Sequence, residues 1–365
     1  MKNLLVLDCR NFGDSVIGLG LIEALSKSIP ELRIDVLTRP QFAVMRRNHP
    51  SIRRVECASF PMGTVKNFGV SAALHLAATI ARLKMESYDA VVNIVGDFRE
   101  NFIGFLIDSR RNWGPVWEKG HPILNGIRGV GNGLPAHPVV IGSEKLSVYG
   151  AVSEIARSLG ATAQAVPRLY NEKKEPINKR QIPGLVGMHM SATQKCRLWP
   201  IENWLELGRL LIADGNTLRL YCSPSERGAF SQAYEPLLRT KRAELIAGPL
   251  EPFFESLAEC SLLVAHDSFA MHVAYALDVP RIVINGPNIM PVWAPPGTVV
   301  LQRGESLPCY PCFNRPSCEA GPEPYACIRK VDAEMVRETI KHLSIQQVRK
   351  GEVTNALTAN ISSLS

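Results

Sequence analysis

The chain alternates short, wholly apolar runs with longer helical patterns, and it does so twice, on either side of a charged break. The first round opens with Leu4-Leu5-Val6-Leu7, which reads as a strand buried on both faces. A polar loop from Asp8 to Asp14 follows, then an apolar helix expected over residues 15–29. Further strands are expected at 33–37 and 88–94, with a helix over 72–85 between them. Each strand is separated from the next by a helix-length connection, and such connections join parallel strands, so a doubly wound α/β sheet is predicted. The rhythm stops at residues 171–180, where charges and a proline replace the apolar period. It restarts with strands at 185–189, 218–221, 244–247, 261–265 and 281–284, and with helices at 204–214 and 271–277. The expected organisation is a first α/β domain over 1–170, a linker over 171–184, a second α/β domain over 185–345 and a polar tail over 346–365.

Two such domains need two cores, and 365 residues with 46% hydrophobic content supply them. No apolar run reaches the roughly 18–20 residues of a bilayer-spanning helix; the best stretch, 70–83, is shorter and carries His75 and Thr79. The first apolar run ends at Asp8, too early for a signal peptide, so a cytoplasmic location is expected. A net charge of +7 favours anionic partners such as nucleotides or phosphorylated lipids. Neither a zinc-finger spacing nor an RNA-binding sheet signature accompanies it, and no nucleic-acid partner is expected. The motifs of P-loop NTPases, zinc proteases, EF-hands and serine hydrolases with a nucleophile elbow are missing from the sequence.

Tandem doubly wound domains bind ligands in the cleft beyond the carboxyl ends of their strands, which directs attention to the strand-end loops. Asn11-Phe12-Gly13-Asp14-Ser15 opens the first helix, and Asp14 reads either as a first-turn carboxylate on the helix dipole or as a general base at the cleft mouth. The glycines Gly13, Gly18 and Gly20 do not match the dinucleotide fingerprint. Lys195 and Arg197 precede the second domain's first helix, where cations and unpaired backbone N–H groups together suit an anion; the alternative is a solvated basic loop beside a core tryptophan. Asp267-Ser268-Phe269-Ala270-Met271-His272 runs from a strand end into a helix. There the N–H groups of Ser268, Phe269 and Ala270 suit a phosphate and Asp267 suits sugar hydroxyls, against the alternative of a capping aspartate. Gly248-Pro249 and Gly286-Pro287 mark two more strand-end turns.

Of nine cysteines, Cys309, Cys312, Cys318 and Cys327 crowd into one proline-rich segment with the spacing C-x2-C-x5-C-x8-C. In a reducing compartment this density suits a structural zinc or iron site or a group of free thiols, rather than disulfides.

The ordered set Asn11-Phe12-Gly13-Asp14-Ser15, His189 with Ser191-Ala192-Thr193, Arg197-Leu198-Trp199-Pro200, Ser223-Pro224-Ser225-Glu226, Asp267 to His272 and Gly286-Pro287 resembles the bacterial ADP-heptose heptosyltransferases over residues 1–341. The resemblance implies a GT-B architecture, two Rossmann-like domains facing across a cleft, with the acceptor on the first domain and the nucleotide-sugar on the second. It implies inverting, metal-independent transfer of heptose from ADP-heptose to a lipopolysaccharide inner-core or related glycan, without a catalytic cofactor. By the same resemblance Asp14 is the general base. Ser191, Thr193, Lys195, Arg197, Glu226, Asp267, Ser268, Phe269, Ala270 and His272 face the donor, and Asn11, Gly13 and Arg99 face the acceptor. Two positions depart from the family pattern: Phe269-Ala270 replaces glycine and proline, and Arg197 stands where lysine is frequent. A protein or secondary-metabolite acceptor, and a binding protein without turnover, are the competing expectations. A glycolipid acceptor would bring the protein to the inner face of the cytoplasmic membrane, where Phe102 to Ile107 with Arg110-Arg111 either rests on lipid or forms an ordinary buried helix.

Overall fold

The structure, a computed structural model, describes residues 1–60, 68–117, 134–141, 147–313 and 315–343; the expected polar tail lies outside them. The first domain runs β1 (Asn3–Asp8), α1 (Phe12–Ser28), β2 (Arg33–Thr38), α2 (Ala43–Arg47), β3 (Ile52–Cys57), α3 (Val70–Lys84), β4 (Ala90–Asn93), α4 (Phe98–Ile107), β5 (Asn112–Trp117), β6 (His137–Ile141) and α5 (Val148–Ser158). The second runs β7 (Ile182–His189), α6 (Ile201–Ala213), β8 (Thr217–Tyr221), α7 (Arg227–Ala233), α8 (Glu235–Leu238), β9 (Ala243–Ile246), α9 (Leu250–Ala258), β10 (Cys260–His266), α10 (Phe269–Ala276), β11 (Arg281–Ile284), α11 (Met290–Trp293), β12 (Val299–Leu301) and α12 (Ala326–Arg329).

Each domain holds a six-stranded parallel sheet, ordered β3-β2-β1-β4-β5-β6 in the first and β12-β11-β10-β7-β8-β9 in the second. Counted from its own first strand, each sheet has the Rossmann order, so its topological switch point falls between β1 and β4, or between β7 and β10. Loops leaving β1, β7 and β10 therefore open at the switch points, the crevice where open α/β sheets generally bind ligands. The second sheet begins at Ile182, inside the stretch expected to be linker, and Tyr170 pairs with Pro176 across a tight turn just before it.

α1 shows why the domains dock. Its residues from Asp14 to Leu25 are all buried, and apart from Asp14, Ser15 and Glu23 they are apolar or glycine. Ile17, Leu21, Ile22 and Leu25 fill the core beneath the first sheet. Val16 and Leu19 join Phe253, Leu257, Ala270 and Val273 of the second domain in another apolar cluster. A helix apolar all round is one packed on both sides. Each such side chain, fully buried, stabilises the docked arrangement by roughly 1.5–3 kcal/mol relative to exposure.

The edge strand β3, IRRVEC, was hidden by its charges. Arg53 Nη2 and Arg54 Nη2 reach Oδ2 of the wholly buried Asp35 on β2 at 2.6 and 2.8 Å, and Tyr88 Oη donates to the same oxygen at 2.7 Å. The run from Phe102 to Ile107 forms the rest of α4: Ile103 and Ile107 are buried, whereas Phe102, Phe105 and Leu106 are exposed. No helix among the described residues is long and apolar enough to cross a membrane.

Candidate active site

The first half of the site is built at the end of β1. α1 begins at Phe12, three residues before the expected start, so Asn11 is the N-cap and Asp14 lies inside the first turn. The Asn11 Nδ2 donates to Asp14 Oδ2 at 3.1 Å. Asp8, the last residue of β1, anchors this turn: its Oδ2 accepts from Ser15 Oγ at 2.6 Å, Thr38 Oγ1 at 2.9 Å and Arg46 Nε at 3.0 Å, all buried. A buried carboxylate fully supplied with donors fixes geometry.

Arg10 sits between two carboxylates, with Nε 4.0 Å from Asp14 Oδ2 and 3.8 Å from Asp97 Oδ2. Its Nε and Nη1 are buried and have no hydrogen-bond partner among the described residues. Asp97 caps α4 by accepting from Arg99 N–H at 2.9 Å, and Arg99 returns to grip Asp97 Oδ2 through Nη2 at 2.6 Å. Arg99 thus joins the Asp14 site through Asp97 and Arg10. Burial raises the pKa of Asp14, while Arg10 and the Asn11 hydrogen bonds pull it back down. Neighbouring Glu100, with Oε1 accepting from Cys9 N–H at 3.1 Å, is pushed well above the usual carboxylate range, first by burial.

The second half lies at the ends of β7 and β10. Ser268 is the N-cap of α10, so the first N–H groups of that helix open beside Asp267, as the sequence indicated. Arg197 stands over this start: its Nη1 donates to the Asp267 carbonyl at 3.0 Å and lies 3.6 Å from Asp267 Oδ2. The turn at Gly286-Pro287 delivers Asn288, whose Nδ2 donates to Asp267 Oδ2. Lys195 is not part of this arrangement; it is exposed and 3.8 Å from Glu319. Glu226 accepts from Ser191 Oγ at 2.8 Å and from Ser223 Oγ and N–H at 2.6 and 2.9 Å. Burial alone would raise its pKa, but those hydrogen bonds bring it below the usual value. Thr193 is exposed on the same loop. His189, at the end of β7, lies 3.5 Å from Ser268 Oγ and meets Phe269 edge-on, and burial lowers its pKa to about 4.

The two halves meet at the starts of α1 and α10. The rings of Phe12 and Phe269 are 5.5 Å apart, so phenylalanine at 269 forms part of the domain junction. The buried ring of His272 turns toward the first domain: its Nδ1 is 2.7 Å from Tyr149 Oη, and its other edge lies against Gly13. Arg10, Asp97, Glu100 and Tyr149 were missed in the sequence, whereas Asn288 lies in the strand-end turn that the sequence marked at Gly286-Pro287. Asp97-x-Arg99 after the β4 turn carried a capping signal, whereas Tyr149 on an amphipathic helix reads like any core aromatic.

Cys309, Cys312, Cys318 and Cys327 do come together, lining one cavity with Cys196 and Gly286. Among the described residues, no group of three or more His, Cys, Asp or Glu closes into a metal-ligating cluster.

A family profile described as Glycosyltransferase family 9 (heptosyltransferase) matches residues 76–321, more than half of the chain. Lipooligosaccharide heptosyltransferase 2 of Haemophilus influenzae is 24% identical over 314 residues, covering 80% of this chain and 86% of its own. Among solved structures, E. coli heptosyltransferase WaaC with ADP superposes with a TM-score of 0.70 at 18% identity, covering 93% of this chain and 99% of its own. The iron-containing dodecameric glycosyltransferase TibC of enterotoxigenic E. coli does so with a TM-score of 0.55 at 14% identity, covering 95% of this chain and 77% of its own. Two Rossmann-ordered sheets facing across a junction are the GT-B fold of these structures, and with the family match they establish that the chain is a glycosyltransferase and belongs to glycosyltransferase family 9, the heptosyltransferases.

Proposed function

We propose that this chain transfers heptose from ADP-heptose to a lipopolysaccharide inner-core acceptor, with inversion at the anomeric carbon. The observation that carries the reading is the meeting of two helix starts, α1 with the buried carboxylate Asp14 and α10 with Ser268 under Arg197, across the Phe12–Phe269 and Gly13–His272 contacts. The donor assignment draws on WaaC, whose structures hold ADP and ADP-2-deoxy-2-fluoro heptose, and the acceptor on the names of the curated relatives.

In this mechanism Asp14 accepts the proton of the acceptor hydroxyl as its oxygen bonds to the anomeric carbon. The bond between that carbon and the β-phosphate oxygen breaks, and ADP leaves with the electron pair. Arg197 and the N–H groups at Ser268, Phe269 and Ala270 take up the charge that develops on the diphosphate. In this reading Asp267, which accepts from Asn288, takes the sugar hydroxyls, and Glu226, which accepts from Ser191, orders the loop proposed to meet the nucleoside. Asn11, Gly13 and Arg99 flank the acceptor side. A glycolipid acceptor would place the protein at the cytoplasmic membrane surface, with exposed Phe102, Phe105 and Leu106 near lipid.

A second element of the proposal is a tetrathiolate clip for zinc or iron at Cys309, Cys312, Cys318 and Cys327, which line one cavity but do not close into a metal-ligating cluster in this structure. The donor type fits either metal, and the clip would brace the Gly286 turn, because a Cβ at Gly286 would lie 3.2 Å from Cys327 Sγ.

Calorimetric titration with ADP against UDP, GDP and TDP tests the donor, followed by transfer assays from ADP-heptose to purified inner-core glycolipid. Selective ADP binding with transfer supports the reading. Preference for another nucleotide overturns the donor, and binding without turnover of any acceptor overturns the transfer.

A further inference from the structure

We propose that Tyr149 is a positioning residue for the transfer reaction: it sets His272 of the second domain against Gly13 of the first and so fixes Asp14 relative to the donor loop. The inference rests on the functional reading above and adds a residue to it.

Tyr149 lies in the first turn of α5, which is capped by Ser147 accepting from Gly150 N–H at 3.1 Å. Its side chain crosses the domain junction and meets two residues of α10 that share a face, at i and i+3. Its hydroxyl is 2.7 Å from His272 Nδ1, and its ring stands at 89° to that of Tyr275 with centroids 5.3 Å apart. Tyr149 and His272 are both buried. The opposite edge of the His272 ring faces α1: a Cβ at Gly13 would lie 2.8 Å from Cδ2 and 3.1 Å from Nε2. A histidine carried by the second domain is thereby held between two elements of the first. Burial keeps the ring neutral, with a pKa near 3, so it offers one donor and one acceptor nitrogen.

Phenylalanine would fill the same volume as Tyr149. What the hydroxyl adds in a buried junction is a hydrogen bond to Nδ1 that holds His272 to one choice of ring rotamer. That choice matters because both contacts are one step from the proposed chemistry. Asp14 follows Gly13 directly, and Asp267-Ser268 runs directly into α10. A tilt of α10 about this contact changes the separation of base and donor, and a misplacement of about 1 Å costs rate on the order of a hundredfold.

The test uses full-length Tyr149→Phe with ADP-heptose and purified inner-core glycolipid. The expected result is a fall in kcat of roughly tenfold to a hundredfold, with donor KM and ADP affinity held within about twofold. Gly13→Ala presses the same ring from the other side without removing a polar group, and it is expected to give the same split; the double variant should fall short of the product of the two. An unchanged kcat in Tyr149→Phe, or a loss confined to KM, overturns the proposal. Hydrogen exchange separates this from failure of the functional reading. If the wild type turns over no ADP-heptose, that reading fails alone, and faster exchange at 11–20 and 268–277 in Tyr149→Phe, with the central strands unchanged, still supports the positioning role. Unchanged exchange there overturns it. Should Tyr149→Phe fail to fold, Gly13→Ala carries both measurements.

Discussion

The Arg10 guanidinium is 4.0 Å from Asp14 Oδ2, and it leaves Nε and Nη1 buried without hydrogen-bond partners among the described residues. This is too long for a hydrogen bond, so Arg10 acts on Asp14 through its charge. Burial, the largest influence on Asp14, raises its pKa, Arg10 opposes that, and Asp8 adds to it. A base works only when ionised, so activity should fall as pH drops through a value above the usual ~3.9 of aspartate. Arg10→Met removes the opposing charge and should move this acid limb of kcat/KM to higher pH. The measurement is a pH–rate profile for both proteins; a limb that stays in place would show that Asp14 is not the titrating base.

Asp14→Asn keeps the Asn11 neighbour and the helix turn but removes proton acceptance. Transfer should fall by about 10²–10⁴-fold, the usual worth of a general base. ADP binding, which belongs to the second domain in this reading, should be unchanged. Loss of both together would place Asp14 in a structural role instead.

Arg197 touches the Asp267 carbonyl at the start of α10, where the diphosphate is proposed to bind. Arg197→Ala removes a charge-assisted contact of roughly 1.5–3 kcal/mol, and ADP affinity should drop by about one to two orders of magnitude. Lys195, exposed and beside Glu319, should be far less sensitive: Lys195→Ala is expected to leave ADP affinity within about threefold. Calorimetry on the two variants checks the contrast, and equal losses would return Lys195 to the donor site.

These predictions use residues of unequal visibility. Parallel strands buried on both faces carry unbroken apolar sequence, so β1 and β11 were read from the sequence nearly to the residue, whereas β3 hides its strand character behind Arg53 and Arg54, whose partner Asp35 is remote in sequence. Asp14 and Asp267 were visible because a strand, a short loop and a helix start frame them. Arg10 and Asp97 became part of the site only when the ends of β1 and β4 came side by side. His272 was assigned to the donor by its place in a motif, but its contacts face Tyr149 and Gly13, which only the docking of α1 on α10 brings near.

Glu23, deep on α1, offers a stability test independent of catalysis. Its carboxylate is 3.0 Å from His49 Nε2 and 2.7 Å from Lys27 Nζ, and it accepts from Tyr170 Oη at the domain connection. Burial alone would raise its pKa, but these partners lower it to about 2. A carboxylate with a lowered folded-state pKa adds stability above its unfolded value of ~4.3, and that contribution disappears as pH falls toward 2. The shift corresponds to the order of 3 kcal/mol. Glu23→Gln should therefore lower the urea midpoint at pH 7 and flatten the wild type's loss of stability between about pH 4.3 and 2. Identical acid profiles for the two proteins would show that the Glu23 network does not hold α1 to the domain connection.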